Sequence, residues 1–571
     1  SGRDRAITLY YVLPIQGVEW RWIGAPRADE AVLPPREYAC TARVDAGANG
    51  NLSRLPFAAV AAGRDGRALA LDMDTPAFFR AGYSAGTGQL YLAYDFGLTP
   101  ERPAADFSFR ILRFDAAEGW RSAVAAYQRA FPEAFRVRVP RQGLWMPFQA
   151  VSGIRDWEDF GFAFKEGDDE TAWDDAHGLL TFRYTEPMTW WMPLKAGAPW
   201  TMAAAEVEAR RRAAAGEAPA KALLASGFWD ENGGLVARMR HEPWNDGAVW
   251  SMNSSPNLNA DPSDYSIKFN AAIRAALYGP GRKADLDGEY VDSIEGYVTD
   301  TLDFRREHFA LAATPPVFSL ETRQPALFKG LIVQEYLRAL AEAMHGLGKY
   351  TMANGTPADL CWLAPWLDVM GPEWDWNPGG EWRPMPDAEL MIRRVLCGGK
   401  PYWFLMNTNF DTLPPDRVAL YMKRCLAYGM FPGFFSPDAA GGHYFTRPEL
   451  YDRDRPLFKK YVPLIRRIAE AGWRPVAGAK AQDEGVYVER FGDGLLTVYN
   501  DTGRARRTRV VFPGAAPSGV KDLVADRTLT LDGDALLLTL DAGDVALLEV
   551  PQASQSSTTP IAPERSSSSM R

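Results

Sequence analysis

The sequence predicts a multidomain protein built around a (β/α)8 barrel, with a β-sandwich before it and a smaller β-sandwich after it. Three observations predict this. At 571 residues the chain exceeds what one hydrophobic core ordinarily supports. Its texture changes twice, from β-rich to alternating strand and helix near residue 138 and back to β-rich near residue 476. The middle span holds about eight strand-like runs, the count of a barrel, in a length that leaves room for insertions. The expected divisions are 1–137 for the N-terminal sandwich, 138–475 for the barrel, 476–551 for the C-terminal sandwich and 552–571 for a tail.

The elements follow in order. Runs 6–13, 68–71 and 88–95 alternate or are rich in β-formers, and clusters of Gly, Pro, Asn and Asp separate them. Segment 119–131 has helical spacing and is closed by Pro132. The candidate barrel strands are 143–150, 179–184, 234–239, 289–292, 316–319, 349–353, 366–370 and 401–406, and 427–433 competes for the last place. Helical patterns intervene at 325–347, 387–396 and 415–426. Residues 200–270 are the least regular and read as an insertion. A helix over 457–471 leads into strands 485–490, 495–499 and 535–540, separated by Gly-Asp and Asn-Asp turns. Residues 552–571, rich in Ser, Thr and Pro, are expected to be disordered.

Composition narrows the partners. A net charge of −9 disfavours a nucleic acid, which needs clustered positive charge. No apolar run approaches the roughly 20 residues that span a bilayer. The four cysteines form no C-x-x-C pair, so neither a zinc ribbon nor a redox motif is expected. The chain carries 19 Trp, 22 Tyr and 29 Phe, which fill cores and also offer flat faces for sugar rings. The five histidines are scattered and suggest no metal set.

Two stretches carry the candidate chemistry. In Asp287-Gly-Glu-Tyr-Val-Asp-Ser-Ile-Glu-Gly-Tyr297 a short strand stops at acids, with Asp292 at its end and Glu295 three residues on. In a parallel barrel the carboxyl ends of strands converge on one site. The same spacing also fits a helix cap and capping box. A second acid cluster lies in Leu367-Asp-Val-Met-Gly-Pro-Glu-Trp-Asp-Trp376, where Glu373 stands among tryptophans and Asp375 could replace it. Neighbouring indoles would desolvate that carboxyl and raise its pKa, which suits a general acid. Two such carboxylates are what glycosidic cleavage needs, one as nucleophile or base and one as proton donor. Asp292 and Glu373 are therefore the expected catalytic pair. Glu186, Glu295, Asn354, Trp374, Asp375, Trp376 and Asn407 are expected to contact substrate, and a structural role stands open for each. Arg238, Arg240, His241 and Glu242 read either as a hydroxyl-reading group or as plain insertion surface.

Two motif matches are set aside. Gly82-Tyr-Ser-Ala-Gly86 fits a nucleophile elbow, but a strand-like run follows where the elbow needs a helix. Glu166-Gly-Asp-Asp-Glu170 lacks the ordered spacing of a calcium loop and reads as a solvated loop.

With these residues in hand, the chain resembles the retaining glycosidases built as β-sandwich, (β/α)8 barrel and C-terminal β-sandwich. It is most similar to the α-glycosidase clans, including the α-galactosidase and endo-α-N-acetylgalactosaminidase types. The resemblance implies that Asp292, in Tyr-Val-Asp-Ser, is the nucleophile and that Glu373, in Met-Gly-Pro-Glu, donates the proton. It also implies a carbohydrate substrate with no cofactor or metal. Tyr290 stands where that nucleophile strand commonly has Lys. Two other readings share the scaffold: a carbohydrate-binding protein without catalysis, and a polysaccharide lyase. The activity favours a secreted or periplasmic location, although no signal segment is visible.

Overall fold

The computed structural model describes residues 2–16, 19–258, 260–280, 285–296, 302–514 and 517–551. Tyr297 and the tail 552–571 lie outside the described residues.

The N-terminal part holds a two-stranded antiparallel sheet, Thr41–Arg43 with Asn51–Ser53, and two larger antiparallel sheets. One runs in the order Arg5–Pro14, Gln89–Leu98, Phe79–Ser84, Glu37–Ala39; the other in the order Phe109–Asp115, Asp65–Leu71, Phe57–Ala62, Arg21–Trp22, Glu30–Ala31. Ser84 ends a strand and a turn into the next strand follows it, so no nucleophile elbow forms. The helix Trp120–Ala130 closes this part.

The centre carries parallel strands in chain order: Leu144–Met146 (β1), Phe162–Glu166 (β2), Leu180–Thr185 (β3), Gly288–Val291 (β4), Tyr350–Asn354 (β5) and Val369–Gly371 (β6) form one six-stranded sheet. Glu373–Trp374 continues β6 and pairs with Trp403–Met406 (β7), which pairs with Phe431–Phe434 (β8). Pro372, which has no N–H, marks the break between the two sheets, and a parallel bridge from Met370 to Tyr402 spans it.

Charge sorts the two faces of these strands. Lys165 pairs with Asp174 on the helix Thr171–His177, and Arg183 pairs with Glu289, all on the outer face. By alternation Phe164, Glu166, Tyr184 and Tyr290 point the other way. Tyr184 and Tyr290 are register partners with rings 5.8 Å apart, and Trp145 packs against both Tyr290 and Trp403. Gly288 is required by close approach, since a Cβ there would lie 2.0 Å from the Tyr350 carbonyl oxygen.

Two expected strands and one expected helix are corrected. Segment 234–239 belongs to an antiparallel sheet formed by Thr189–Pro193, Asn245–Ser251 and Ala237–Glu242, inside the excursion between β3 and β4. Segment 316–319 belongs to another small antiparallel sheet, with Leu302–Asp303 and Pro325–Phe328. Their places are taken by Phe162–Glu166 and Phe431–Phe434. The helix expected from residue 325 starts only at Lys329 and ends at Gly346, because its first four residues pair as a strand. The helices Asp387–Cys397, Pro415–Tyr428 and Pro448–Ala471 follow.

The C-terminal part is a six-stranded and a four-stranded antiparallel sheet enclosing Val488, Leu496, Val498, Leu536 and Leu538. All four cysteines are free.

Candidate active site

The carboxyl ends of the parallel strands bring four acids together. Glu166 ends β2, Glu186 follows β3, Asp292 follows β4 and Glu373 follows the break in β6. Backbone bonds lock the turn after β4: the Asp292 N–H donates to Thr185 O, and Ser293 takes φ 51°, a region non-glycine residues rarely adopt. The turn leaves the Asp292 carboxyl half-buried at the mouth, as Glu186 and Glu373 are.

Asn354, at the end of β5, joins the expected catalytic pair. Its amide nitrogen donates to Asp292 Oδ1 at 2.9 Å and to Glu373 Oε2 at 2.5 Å. Those two oxygens are therefore no farther apart than the two bonds laid end to end, about 5.4 Å. Asn407, after β7, donates to the other Glu373 oxygen. Asp292 also accepts from the hydroxyls of Tyr184, at 3.0 Å, and Tyr290, at 3.3 Å. Tyr184 reaches Glu186 as well, whose oxygens further accept from Thr189 Oγ1 and the Trp191 indole N–H.

Burial and crowding set the protonation of this group. Desolvation, then the charge of Asp292, raises Glu373 to about 7 against the donations of Asn354 and Asn407. Glu186 is likewise raised to about 7 by desolvation and then Asp292, opposed by Trp191, Lys268 and Thr189. Desolvation, with Asp292 and Glu373 adding to it, pushes Glu166 well above the usual carboxylate range.

Several expected contacts are placed elsewhere. Glu295 is buried, and its two oxygens accept from Thr356 Oγ1 and the backbone N–H groups of Ala358, Asp359 and Leu360. It tethers the loop after β5 and has no oxygen left for a ligand. Trp376 is fully buried against Phe404 and Tyr421, so it lines no cleft. Asp375 closes a local turn by accepting from the Asn377 N–H. Trp374 does stand in the open, 62% exposed beside Glu373. His241 stacks on Trp200, with ring centres 3.7 Å apart, and pairs with Asp246 on the inserted sheet.

Glu166 was missed because its charged neighbours read as a loop. That expectation is corrected: Glu166 is 1% exposed, and Glu170 accepts from the N–H groups of Val151 and Ser152. The usable signal was the alternation Phe162, Phe164, Glu166, which puts the acid on the inner face. Tyr184 could have been found the same way, two residues before Glu186. Phe148, 56% exposed and packed against Tyr184 and Phe435, carried no sequence signal.

No family model and no curated protein matches the chain. Solved structures do match in fold. The chain is similar to a GH31 sulfoquinovosidase from E. rectale at a TM-score of 0.51 and 9% identity, over 96% of this chain and 83% of that one. It is similar to the GH31 dextranase of Flavobacterium johnsoniae at a TM-score of 0.50 and 10% identity, over 95% of this chain and 66% of that one. This chain has an α-glycosidase-like fold. A GH36 α-galactosidase from Geobacillus stearothermophilus is also matched, at a TM-score of 0.49 and 11% identity, over 95% of this chain and 76% of that one. In the α-glycosidase-like fold seen here, the four acids stand together at one end of the parallel strands. Among the described residues no helix is long and apolar enough to cross a membrane.

Proposed function

We propose that this protein is a glycoside hydrolase whose parallel strands close into a (β/α)8 barrel between the two sandwich regions. Asp292 attacks the anomeric carbon while protonated Glu373 gives its proton to the leaving oxygen. Glu373 then takes a proton from the water that releases the sugar from Asp292. The observation that carries this reading is the Asn354 amide bridging the two carboxyls. It keeps their nearest oxygens within about 5.4 Å. Retaining enzymes hold their pair about 5–5.5 Å apart, and inverting enzymes about 6.5–9.5 Å. A carboxyl raised to about 7 is half protonated at neutral pH, as a group that alternates between acid and base must be. Glu186, Asn354, Asn407 and Trp374 position the sugar from the same end of the strands.

A lyase would need a base and a cation to neutralise a uronate. The cation whose charge reaches Glu186, Lys268, is held by Asp264 and the Thr189 carbonyl, which favours hydrolysis.

The test is a panel of nitrophenyl glycosides with both variants and proton NMR of the first-formed anomer. Asp292→Asn should lower kcat on the order of 10⁴-fold and Glu373→Gln by about 10²–10⁴-fold, with both variants still folded. Product should keep the substrate's anomeric configuration. Wild-type turnover in both variants would reject the assignment, and an inverted first product would reject the double displacement.

A further inference from the structure

Glu166 ends β2 close enough to the catalytic pair to feel the charges of Asp292 and Glu373. It is 1% exposed, and neither carboxyl oxygen has a hydrogen-bond partner. Lys165, next to it, turns to the outer face, where Asp169, Glu170 and Asp174 surround its ammonium. Buried carboxyls without partners are costly and rare, and one beside three other acids marks a place a ligand completes.

The surroundings say what kind of ligand. The other three acids take their hydrogen bonds from neutral donors: Tyr184, Tyr290, Thr189, Trp191, Asn354 and Asn407. The cation that lowers Glu186, Lys268, is spent on Asp264 and the Thr189 carbonyl. Among the described residues these acids do not gather closely enough to hold a metal ion. A sugar hydroxyl brings one proton and no charge to this group of acids. An ammonium brings three N–H donors and a positive charge, enough for both Glu166 oxygens and one neighbouring acid.

We infer that the site takes an amino sugar, with Glu166 receiving the protonated amine beside the other three acids. The inference rests on the cleft being the sugar site of the proposed hydrolase, and it concerns recognition alone. Glu166 is then a specificity residue, outside the proton transfers assigned to Asp292 and Glu373.

Isothermal titration calorimetry at pH 7 tests it with 2-amino-2-deoxy and 6-amino-6-deoxy hexoses of gluco and galacto configuration. Each is measured beside its hydroxyl parent, and the 2-amino sugars also beside their N-acetyl derivatives. At least one amine should bind roughly tenfold or more tightly than its uncharged counterparts. Glu166→Gln, which keeps the shape and cannot ionise against the amine, should erase that preference. If the uncharged sugars bind as well as the amines, if no sugar binds, or if the preference survives in Glu166→Gln, the inference is overturned. The first of these needs only the wild-type protein, so it stands whether or not the variant folds. Hydrolysis is read separately: neutral nitrophenyl glycosides cleaved without amine preference reject the amine and leave the hydrolase standing. Amine preference with no cleavage of any glycoside does the reverse.

Discussion

The proton on Glu373 decides when the proposed chemistry can run. Because the acid must be protonated to assist departure, kcat/KM should fall as pH rises through about 7. Asn407 donates to the charged form and so holds the carboxyl down. Asn407→Ala should move the alkaline limb of the profile to higher pH, and a limb that moves down or stays put would show that Glu373 is not its source. The same displacement has a cost in stability. A carboxyl whose folded pKa lies above its unfolded value stabilises the fold below about 4.5 and loses that contribution as pH rises through about 7. Glu373→Gln should therefore melt higher than wild type at pH 8, and the two should converge at pH 4. Equal melting temperatures at both pH values would contradict the desolvation assigned here.

At the scale of elements, the positions of the acids depend on how closely the strands approach. Gly288→Ala would drive a methyl into the Tyr350 carbonyl, 2.0 Å away, and should destabilise by about 1–3 kcal/mol or more in urea unfolding. It should also lower kcat, since β4 carries Asp292. Gly346→Ala, at the end of the helix before β5, meets nothing within 4 Å and should change stability by no more than about 0.5 kcal/mol. Equal effects in the two would deny that strand spacing sets the site. Elements of this kind were only partly legible in the sequence. Strands β3 to β7 announced themselves through buried β-formers ending at polar residues. Strand β2 did not, because Lys165 and Glu166 point to opposite faces and each is buried by a different layer, which a linear reading takes for a solvated charge run. Segments 234–239 and 316–319 have the same strand propensity as the parallel strands, and only partner choice sends them into antiparallel sheets. Asp292 and Glu373 were legible as strand-end acids. The spent state of Glu295 was not, because its partners at 356–360 are about sixty residues away in the chain.

For the whole molecule, one ionic junction ties the three regions together. Arg27, from the N-terminal part, pairs with Asp387 on a central helix and with Glu489 on the C-terminal sheet. Arg121, from the helix Trp120–Ala130, makes two bonds to the same Glu489 carboxyl and two more to the carbonyls of Pro475 and Val488. Glu489 is 2% exposed, and burial alone would raise its pKa. Arg121 and Arg27, helped by the Trp473 indole N–H, overcome that and bring it to about 2. The sign of the linkage is then opposite to that at Glu373. With a folded pKa below its unfolded one, Glu489 contributes stability above about 4.5 that is lost as pH falls toward about 2. Removing the charge leaves buried Arg121 without a carboxylate partner and Arg27 with Asp387 alone, so Glu489→Gln should cost on the order of 3–5 kcal/mol at pH 7. Urea unfolding at pH 7 and pH 2 checks this, with the variant's deficit shrinking at the lower pH. An unchanged deficit at pH 2 would mean that packing around Glu489, rather than its charge, holds the regions in register. None of the junction's bonds reaches the four acids, so its loss should lower the unfolding midpoint while the surviving folded fraction keeps its kcat.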